Sequence, residues 1–457
     1  MAQMIHGFIT LFALSLLVVA LTMSPTFAEQ PGKSEGEGEG EGEGLTLELI
    51  HRYSIRSPLY SPNLTTVEMI KQLVEISDRR YFEIAMSLAH GSRLMGVRPI
   101  VAHDKWLYMV KLGIGNPPTF TRLHLDTGSN IMWTQCAPCR SYFPQLPPLY
   151  WPAKSRTYRT LPCDHRLCAG YPCINNKCHY EMKFFDGTYT KGIIAAERFT
   201  FASNLGGRSE AVDGVGFGCS KESSSDMYPR TQAVSGILGL GSDVRSFLMQ
   251  LGDRAKGRFS YCLVPLEHTG QSYLRFGTDV ERIKHAQTTP ILPKHELEVY
   301  SLELKDLSVD GRLLRLPPDT FKVNRNGTGG CIIDSGLSVT FMIGEAFDAL
   351  VHSLEEYFQN YDLRKIEDPR DTGLELCYKK PRGFSSYPTV GFHLRGAVFR
   401  PKAKSVFLID EALGTFCLFV RKGEFTLLAA VLQQNFRMVF DVRKRKLTFA
   451  EENCARD

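Results

Sequence analysis

Beyond residue 28 the chain has no apolar run long enough to cross a bilayer, so we expect no stable membrane anchor. It also lacks a phosphate-binding loop, a basic stripe suited to nucleic acid, and a Ser/His/Asp arrangement with supporting context. Neither sign of charge dominates, because 54 Lys and Arg stand against 49 Asp and Glu, a net charge of +5. These absences indicate dispersed surface charge, no nucleic-acid partner and no cofactor.

The N-terminus carries the chain's one candidate for a targeting segment. An apolar run from Phe8 to Leu21 leads to a short stretch ending at Ala28, and only His6 stands where Lys or Arg is usual. This pattern predicts a secretory signal peptide over residues 1–28. A membrane anchor is the alternative, although the run is shorter than a span requires.

The segment after the signal changes character twice. Ser34 to Gly44 alternates Glu and Gly and offers no apolar side chain to pack, which predicts disorder. Leu45 to Arg52 then alternates as a strand does, and Thr65 with Glu68 forms a capping-box pattern. The residues that follow on one helical face are Val67, Ile70, Val74, Tyr81, Ile84 and Leu88, and Gly91 ends the run. The segment is either a prosegment or an extra N-terminal subdomain.

From Tyr108 onward, short alternating runs broken by Gly, Pro and Asn indicate a mainly β protein. The clearest exception is Glu345 to Phe358, which predicts an amphipathic helix. A chain of 457 residues with 43% hydrophobic content can bury more than one core, so two large lobes are expected. The basic run Arg443–Lys446 is expected to be a turn between strands.

Two short motifs share one pattern about two hundred residues apart. Leu125-Asp126-Thr127-Gly128-Ser129 and Ile333-Asp334-Ser335-Gly336-Leu337 each place an Asp after apolar residues and before a small hydroxyl residue and a Gly. A buried strand that ends on an acid needs a reason, since an isolated carboxylate is costly to bury. Two such strands suggest two half-sites that face each other.

This pair of motifs resembles the Asp-Thr/Ser-Gly motifs of pepsin-like aspartic proteases, in particular the plant nepenthesin-type branch. Further similar segments are Trp133–Cys136, Gly236–Gly241, Phe259–Leu263, Gln433–Phe436 and Phe440-Asp441. The resemblance implies a bilobal, mainly β fold with a signal peptide (1–28), a prosegment (29–100, with the Glu-Gly tract at 34–44), an N-terminal catalytic lobe (101–290) and a C-terminal catalytic lobe (291–457).

The resemblance also implies a reaction. Asp126 and Asp334 would hold a water molecule between them and hydrolyse polypeptides at acid pH, sharing one proton in the known manner of such dyads. The supporting residues would be Thr127 and Ser335, which join the two loops, Gly128 and Gly336, which keep the turns open, and Ser129, which donates to Asp126. We expect a monomer, secreted to the apoplast or held in the vacuole, with its own prosegment as intramolecular inhibitor.

A hairpin is expected to close over the substrate. By resemblance, the substrate-binding residues are Trp133, Phe184, Asp186, Gly187 and Thr188. Asp186-Gly187 is a hairpin-turn signal in its own right, and an ordinary surface hairpin is the alternative.

The 12 cysteines follow a signal peptide, which favours disulfides over a metal site, and we expect no bound metal. A zinc or iron–sulfur site would use similar ligands. The resemblance implies the pairs Cys136–Cys139, Cys163–Cys178, Cys168–Cys173, Cys262–Cys454 and Cys377–Cys417, with Cys219 and Cys331 left free or unusually paired. Asn63 and Asn326 begin glycosylation sequons.

The chain departs from the family pattern at four places. Leu337 replaces a hydroxyl residue, Phe184 replaces the hairpin Tyr, Phe185 replaces a Gly, and Ala429-Ala430 replaces Gly-Asn. Leu337 cannot donate to Asp334, and a Cβ at residue 429 could crowd the backbone beneath it. Since both aspartates remain, an aspartic endopeptidase is the leading hypothesis. The alternatives are a binding protein or glycosidase inhibitor of the same fold, and a structural or storage protein.

Overall fold

The computed structural model describes residues 44–90, 108–183, 188–202, 209–225, 227, 233–265, 271–280, 283–293, 299–324, 329–367 and 373–456. The predicted signal peptide, nearly all of the Glu-Gly tract, Phe184–Gly187 and Asn326 lie outside these residues. Asn63 lies in an exposed turn, and its glycosylation stays a prediction.

Strands make up most of the regular structure in these residues, which confirms the mainly β prediction. They are β1 (Leu45–His51), β2 (Tyr108–Ile114), β3 (Thr119–Asp126), β4 (Trp133–Gln135), β5 (Arg159–Thr160), β6 (Cys173–Ile174), β7 (Lys177–Lys183), β8 (Tyr189–Ala202), β9 (Ser209–Ser223), β10 (Gly236–Gly239), β11 (Arg258–Cys262), β12 (Ser272–Phe276), β13 (Gln287–Pro290), β14 (Ser301–Leu302), β15 (Leu304–Val309), β16 (Arg312–Leu313), β17 (Cys331–Ile333), β18 (Thr340–Ile343), β19 (Cys377–Lys379), β20 (Val390–Leu394), β21 (Ala397–Phe399), β22 (Phe407–Asp410), β23 (Thr415–Leu418), β24 (Val420–Gly423), β25 (Thr426–Leu428), β26 (Phe436–Asp441) and β27 (Lys446–Glu451).

The strands form a bilobal arrangement, as predicted. A 15-stranded sheet contains β1–β13 together with the last two strands, β26 and β27. The C-terminal part of the chain forms a 5-stranded sheet (β14-β17-β25-β18-β24), a 4-stranded sheet (β16-β15-β20-β21) and a 3-stranded sheet (β19-β23-β22). The basic run at residues 443–446 lies at the turn between β26 and β27, in agreement with the prediction.

Helices are few among the described residues: α1 (Thr66–His90), α2 (Phe247–Gln250), α3 (Gly344–Phe358) and α4 (Ala403–Val406). The predicted helix at Glu345–Phe358 corresponds to α3, which buries Phe347, Leu350 and Leu354 as its apolar spacing requires. No described helix is long and apolar enough to cross a membrane.

The N-terminal segment is built into the fold. β1 lies between β12 and β2 in the large sheet, with Leu47 opposite Leu274 and Leu49 opposite Val110. The predicted capping box begins α1, because the Thr65 N–H donates to Glu68 Oε2 (2.9 Å) and the Glu68 N–H donates to Thr65 Oγ1 (3.3 Å). This segment therefore packs on the body of the protein through both a strand and a helix.

Two predicted disulfides are present, Cys262–Cys454 and Cys377–Cys417, and the other three were wrong. The pairs found instead are Cys136–Cys219, Cys163–Cys173 and Cys168–Cys178, and Cys139 and Cys331 are free. β4 runs beside β9 with Thr134 next to Cys219, which brings Cys136 to a Cα distance of 5.4 Å from Cys219.

The pairing among the four evenly spaced cysteines follows burial. Cys168 and Cys178 are both buried, at 4% and 1% exposure, and bond to each other. Cys173 is exposed and Cys163 half-buried, so their bond lies nearer the surface. Even spacing in the sequence carries no information about which side chains face the core.

Candidate active site

Asp126 lies at the end of β3 and is fully buried. β10 runs parallel to β3 with Gly239 beside Asp126, so two strands hold the start of the turn. Within the turn, the Gly128 N–H donates to Asp126 Oδ1 (2.8 Å) and the Ser129 hydroxyl donates to Oδ2 (2.5 Å). The donation by Ser129 is the one that the motif predicts, and it stabilises the ionised carboxylate.

Asp334 follows β17 and is also fully buried. Its Oδ1 accepts hydrogen bonds from the Gly336 N–H (2.9 Å) and from the Thr127 hydroxyl (3.0 Å). Its Oδ2 accepts none from the residues that the structure describes. Leu337, which stands where a hydroxyl donor is expected, is buried and has no polar atom to offer.

The two turns are joined directly. The Thr127 N–H donates to Ser335 Oγ (3.3 Å), and the Ser335 N–H donates to Thr127 Oγ1 (2.9 Å). A Cβ on Gly128 would lie 2.8 Å from Asp334 Oδ2, closer than a side chain tolerates. The Asp334 carboxyl group or the turn would then have to shift, so a glycine at residue 128 allows the first motif to approach the second carboxylate this closely.

The electrostatics of the pair are unequal in this state. Burial raises the pKa of Asp334 from its ordinary 3.8 to about 6, and the neighbouring charge of Asp126 adds to the rise. Arg80, the Gly336 N–H and the Thr127 hydroxyl oppose it. With Arg80 held against Asp126, a proton shared by the two carboxyl groups is favoured on Asp334.

Helix α1 covers the two aspartates. Arg80 lies 7% exposed and places Nη2 3.1 Å from Asp126 Oδ2, in a buried ion pair. One turn earlier, the Ser77 hydroxyl accepts from the Val339 N–H (2.8 Å), just beyond the second motif. Asp78 pairs with Arg421, and Tyr81 inserts between Phe341 and Phe425. The helix thus contacts both half-sites at once.

Sequence reasoning missed Arg80 and assigned Tyr81 only to the apolar face of α1. A basic residue beside the apolar face of a helix that precedes an acidic pair was an available signal. Gln433 was noted only as part of a similar segment, yet its Nε2 donates to the carbonyl oxygens of Asp334 (3.1 Å) and Leu428 (3.0 Å).

Only some of the predicted substrate-binding residues are among those that the structure describes. Trp133 is fully buried, and Thr188 is buried at the start of the return to β8. β7 and β8 pair as a hairpin with Lys183 opposite Tyr189, which flanks the predicted turn. Phe184, Asp186 and Gly187 lie outside the described residues, so the role of this hairpin stays a prediction. Among the described residues no cluster of His, Cys, Asp and Glu has the makings of a metal site.

Comparison with known proteins agrees with this architecture. The family profile described as Xylanase inhibitor N-terminal matches residues 108–278, and the one described as Xylanase inhibitor C-terminal matches residues 299–451. Aspartyl protease family protein 2 of Arabidopsis thaliana is 31% identical over 90% of this chain and 85% of its own length. Aspartic proteinase nepenthesin-2 of Nepenthes gracilis is 29% identical over 86% of this chain and 87% of its own.

Solved structures show the same fold. The structure of edgp aligns with a TM-score of 0.65 at 16% identity, covering 92% of this chain and 97% of that one. Basic 7S globulin from soybean aligns with a TM-score of 0.60 at 18% identity, covering 76% and 94%. At these identities the two structures establish the fold alone. The two motifs, the family profiles and the sequence relatives show that the chain belongs to the pepsin-like aspartic protease family, in its nepenthesin-type branch.

Proposed function

We propose that this protein is a secreted aspartic endopeptidase that hydrolyses polypeptides at acid pH and is made as an inactive precursor. The observation that carries the proposal is the buried pair Asp126 and Asp334, joined through Thr127 and Ser335. Burying two carboxyl groups side by side is costly, and burial raises the pKa of Asp334, which favours a proton on that group. That is the arrangement required of a base and an acid that act on one water molecule.

The chemistry needs space between the two carboxyl groups and the substrate. With α1 in place, the Arg80 guanidinium occupies Asp126 Oδ2 and competes with any water there. Once the helix leaves, the ionised carboxylate takes a proton from the water as it attacks the peptide carbonyl. The protonated carboxyl group then supplies the proton that the leaving amine needs. The two acids exchange these roles over a cycle, so neither is assigned one role alone.

The N-terminal segment acts, in this proposal, as an intramolecular inhibitor. Its support is the set of contacts that α1 makes on both half-sites: Arg80 with Asp126, Ser77 with Val339, and Tyr81 with Phe425. The N-terminal apolar run and the 5 disulfides, numerous for a reducing compartment, support secretion. The apoplast is the proposed destination, with the vacuole as the alternative.

A second candidate is a protein of this fold that binds a partner, such as a glycosidase, without cleaving peptides. The observation that favours it is the second half-site, where Asp334 Oδ2 lacks a donor among the described residues and Leu337 and Ala429 replace the usual residues. The first half-site is intact, and both acids are retained. We therefore rank proteolysis first.

The test is cleavage of a denatured protein substrate by the purified full chain, from acid pH to neutrality, with fragments identified by mass. Asp126→Asn is run in parallel, and Asp253→Asn, at a fully exposed acid, is the matched control. Cleavage that Asp126→Asn abolishes and that pepstatin blocks supports the proposal. If the folded chain, freed of its N-terminal segment, cleaves nothing at any pH, the protease proposal fails and the binding protein becomes the leading candidate.

A further inference from the structure

Tyr81 occupies a slot with a specific shape. Its ring is stacked on both faces, at centroid distances of 3.9 Å from Phe341 (15° between planes) and 4.5 Å from Phe425 (18°). The Tyr81 hydroxyl donates to the carbonyl oxygen of Phe425 (2.9 Å) and accepts from its N–H (2.7 Å). Both faces and the polar tip of the ring are therefore satisfied together.

A glycine forms the end of the slot. A Cβ added to Gly423 would lie 2.3 Å from the Tyr81 hydroxyl oxygen and 2.5 Å from the carbon that bears it. Glycine thus leaves room for the outer end of a six-membered ring that carries a hydroxyl. Phe341 and Phe425 are 3% and 1% exposed, so the slot is closed to water while Tyr81 fills it.

The position of the slot ties it to the aspartates. Tyr81 directly follows Arg80, whose guanidinium contacts Asp126, and it packs in one apolar cluster with Leu337, three residues after Asp334. The slot therefore lies beside the second motif, which carries Asp334. α1 is a stretch of polypeptide that covers the two aspartates, and its Tyr81 side chain is bound in the slot.

We propose that the slot formed by Phe341, Phe425 and Gly423 is a recognition subsite for the tyrosine side chain of a bound polypeptide, filled by Tyr81 now and by substrate once α1 has left. This inference rests on the proposed function, because a substrate is what would replace the helix. It narrows the substrate class to polypeptides with a tyrosine close to the cut bond. The backbone N–H and carbonyl of Phe425 favour tyrosine over phenylalanine, since phenylalanine leaves both polar groups buried without that partner.

The first arm of the test needs no catalysis. In the full chain, Tyr81→Ala empties the slot, and p-cresol, which has the size and hydroxyl of a tyrosine side chain, is titrated while thermal unfolding is followed. We expect p-cresol to raise the unfolding temperature of Tyr81→Ala but not of the unaltered chain. Toluene, which lacks the hydroxyl, should bind about tenfold more weakly. If Tyr81→Ala does not fold, Tyr81→Phe is the second variant. It keeps the ring, so we expect its unfolding temperature to fall only through the loss of the two hydrogen bonds to Phe425.

The second arm reads specificity. Cleavage fragments of a denatured protein should show tyrosine enriched at one fixed position beside the cut. Gly423→Ala should remove that enrichment while cuts beside smaller side chains persist. Cleavage with no preference for tyrosine, or p-cresol binding no better than toluene, overturns the inference. If nothing is cleaved but p-cresol binds, the proposed protease activity fails and the slot stands as a recognition site of a binding protein.

Discussion

The two half-sites are built on one plan and supported differently. Asp126 Oδ2 accepts from the Ser129 hydroxyl and from Arg80, whereas Asp334 Oδ2 accepts from none of the described residues. In both motifs, by contrast, Oδ1 of the aspartate accepts a hydrogen bond from the glycine N–H of the same motif. The hydrogen bond that forms the turn and the one that stabilises the charged carboxylate are therefore independent, since the second half-site keeps the glycine N–H bond to Oδ1 and lacks a donor to Oδ2 among the described residues.

The segments that close the two loops differ in the same way. In the first half-site the Leu240 N–H donates to the carbonyl of Asp126 (2.9 Å). In the second, the Ala430 N–H donates to Leu337 instead (2.9 Å), and the carbonyl of Asp334 is bonded by the Gln433 side chain (3.1 Å). A side-chain amide thus takes over a task that the backbone performs in the other lobe.

The largest effect is expected from the two aspartates, whose substitution should lower the cleavage rate equally despite the difference between the half-sites. Asp126→Asn and Asp334→Asn should each lower the cleavage rate by about 10²–10⁴-fold, because each removes half of a shared proton-transfer system. Initial rates on one peptide substrate measure both. A variant at Asp334 that kept near-normal activity would show that the weaker half-site is dispensable and would refute the dyad.

The next effect comes from Arg80, which forms a buried ion pair with Asp126. Arg80→Gln leaves a buried carboxylate without its cation, so the free energy of unfolding should fall by about 3–5 kcal/mol near neutral pH. Loss of the N-terminal segment should begin at higher pH than in the unaltered chain, as followed by mass. Lys71→Gln, at an exposed position of the same helix, is the control and should change neither quantity. Equal behaviour of the two variants would remove Arg80 from the inhibition.

Leu337→Thr should make the second half-site resemble the first. The raised pKa of Asp334 means that the folded chain binds this proton more tightly than the unfolded chain does. Its contribution to stability is therefore complete below the ordinary value of 3.8 and is lost as pH rises through the folded value of about 6. A hydroxyl at residue 337 that donates to Asp334 Oδ2 is a bond to a charged group, about 1.5–3 kcal/mol, and should lower that pKa and flatten the loss.

Urea unfolding across this pH window measures the effect of Leu337→Thr. Leu337→Val is the control, because it loses similar packing and brings no hydroxyl. The pH slope should flatten in the Thr variant alone. If both variants flatten it equally, packing around Leu337, and not the missing donor, sets the pKa of Asp334.

The sequence predicted what repeats and missed what is particular to this chain. The sequence was sufficient to predict the two Asp motifs, the capping box at Thr65 and helix α3, because each is a local pattern with a fixed spacing. The partner of Cys136 was not predictable, since a strand neighbour 83 residues away decides it. Nor was the contact between Arg80 and Asp126, because helical periodicity shows which residues share a face and not what that face covers.

The smallest effects are expected from the glycine and alanine that lie beside the two aspartates. A Cβ on Gly239 would lie 2.6 Å from the carbonyl oxygen of Ile131 and 2.7 Å from that of Ser129, so Gly239→Ala must displace the backbone under Asp126. We expect it to cost roughly 1–3 kcal/mol of stability. Ala429 follows the register of β25 with β17 to the same place beside Asp334. The second half-site already accommodates the Ala429 methyl group, so Ala429→Gly should lower the free energy of unfolding by only about 0.5–1 kcal/mol. Urea unfolding of the two single variants measures the contrast. Equal costs would mean that both half-sites tolerate a Cβ equally well. A steric effect of the Ala429 methyl group would then not explain why the Gln433 side chain, and not the backbone, donates to the carbonyl oxygen of Asp334.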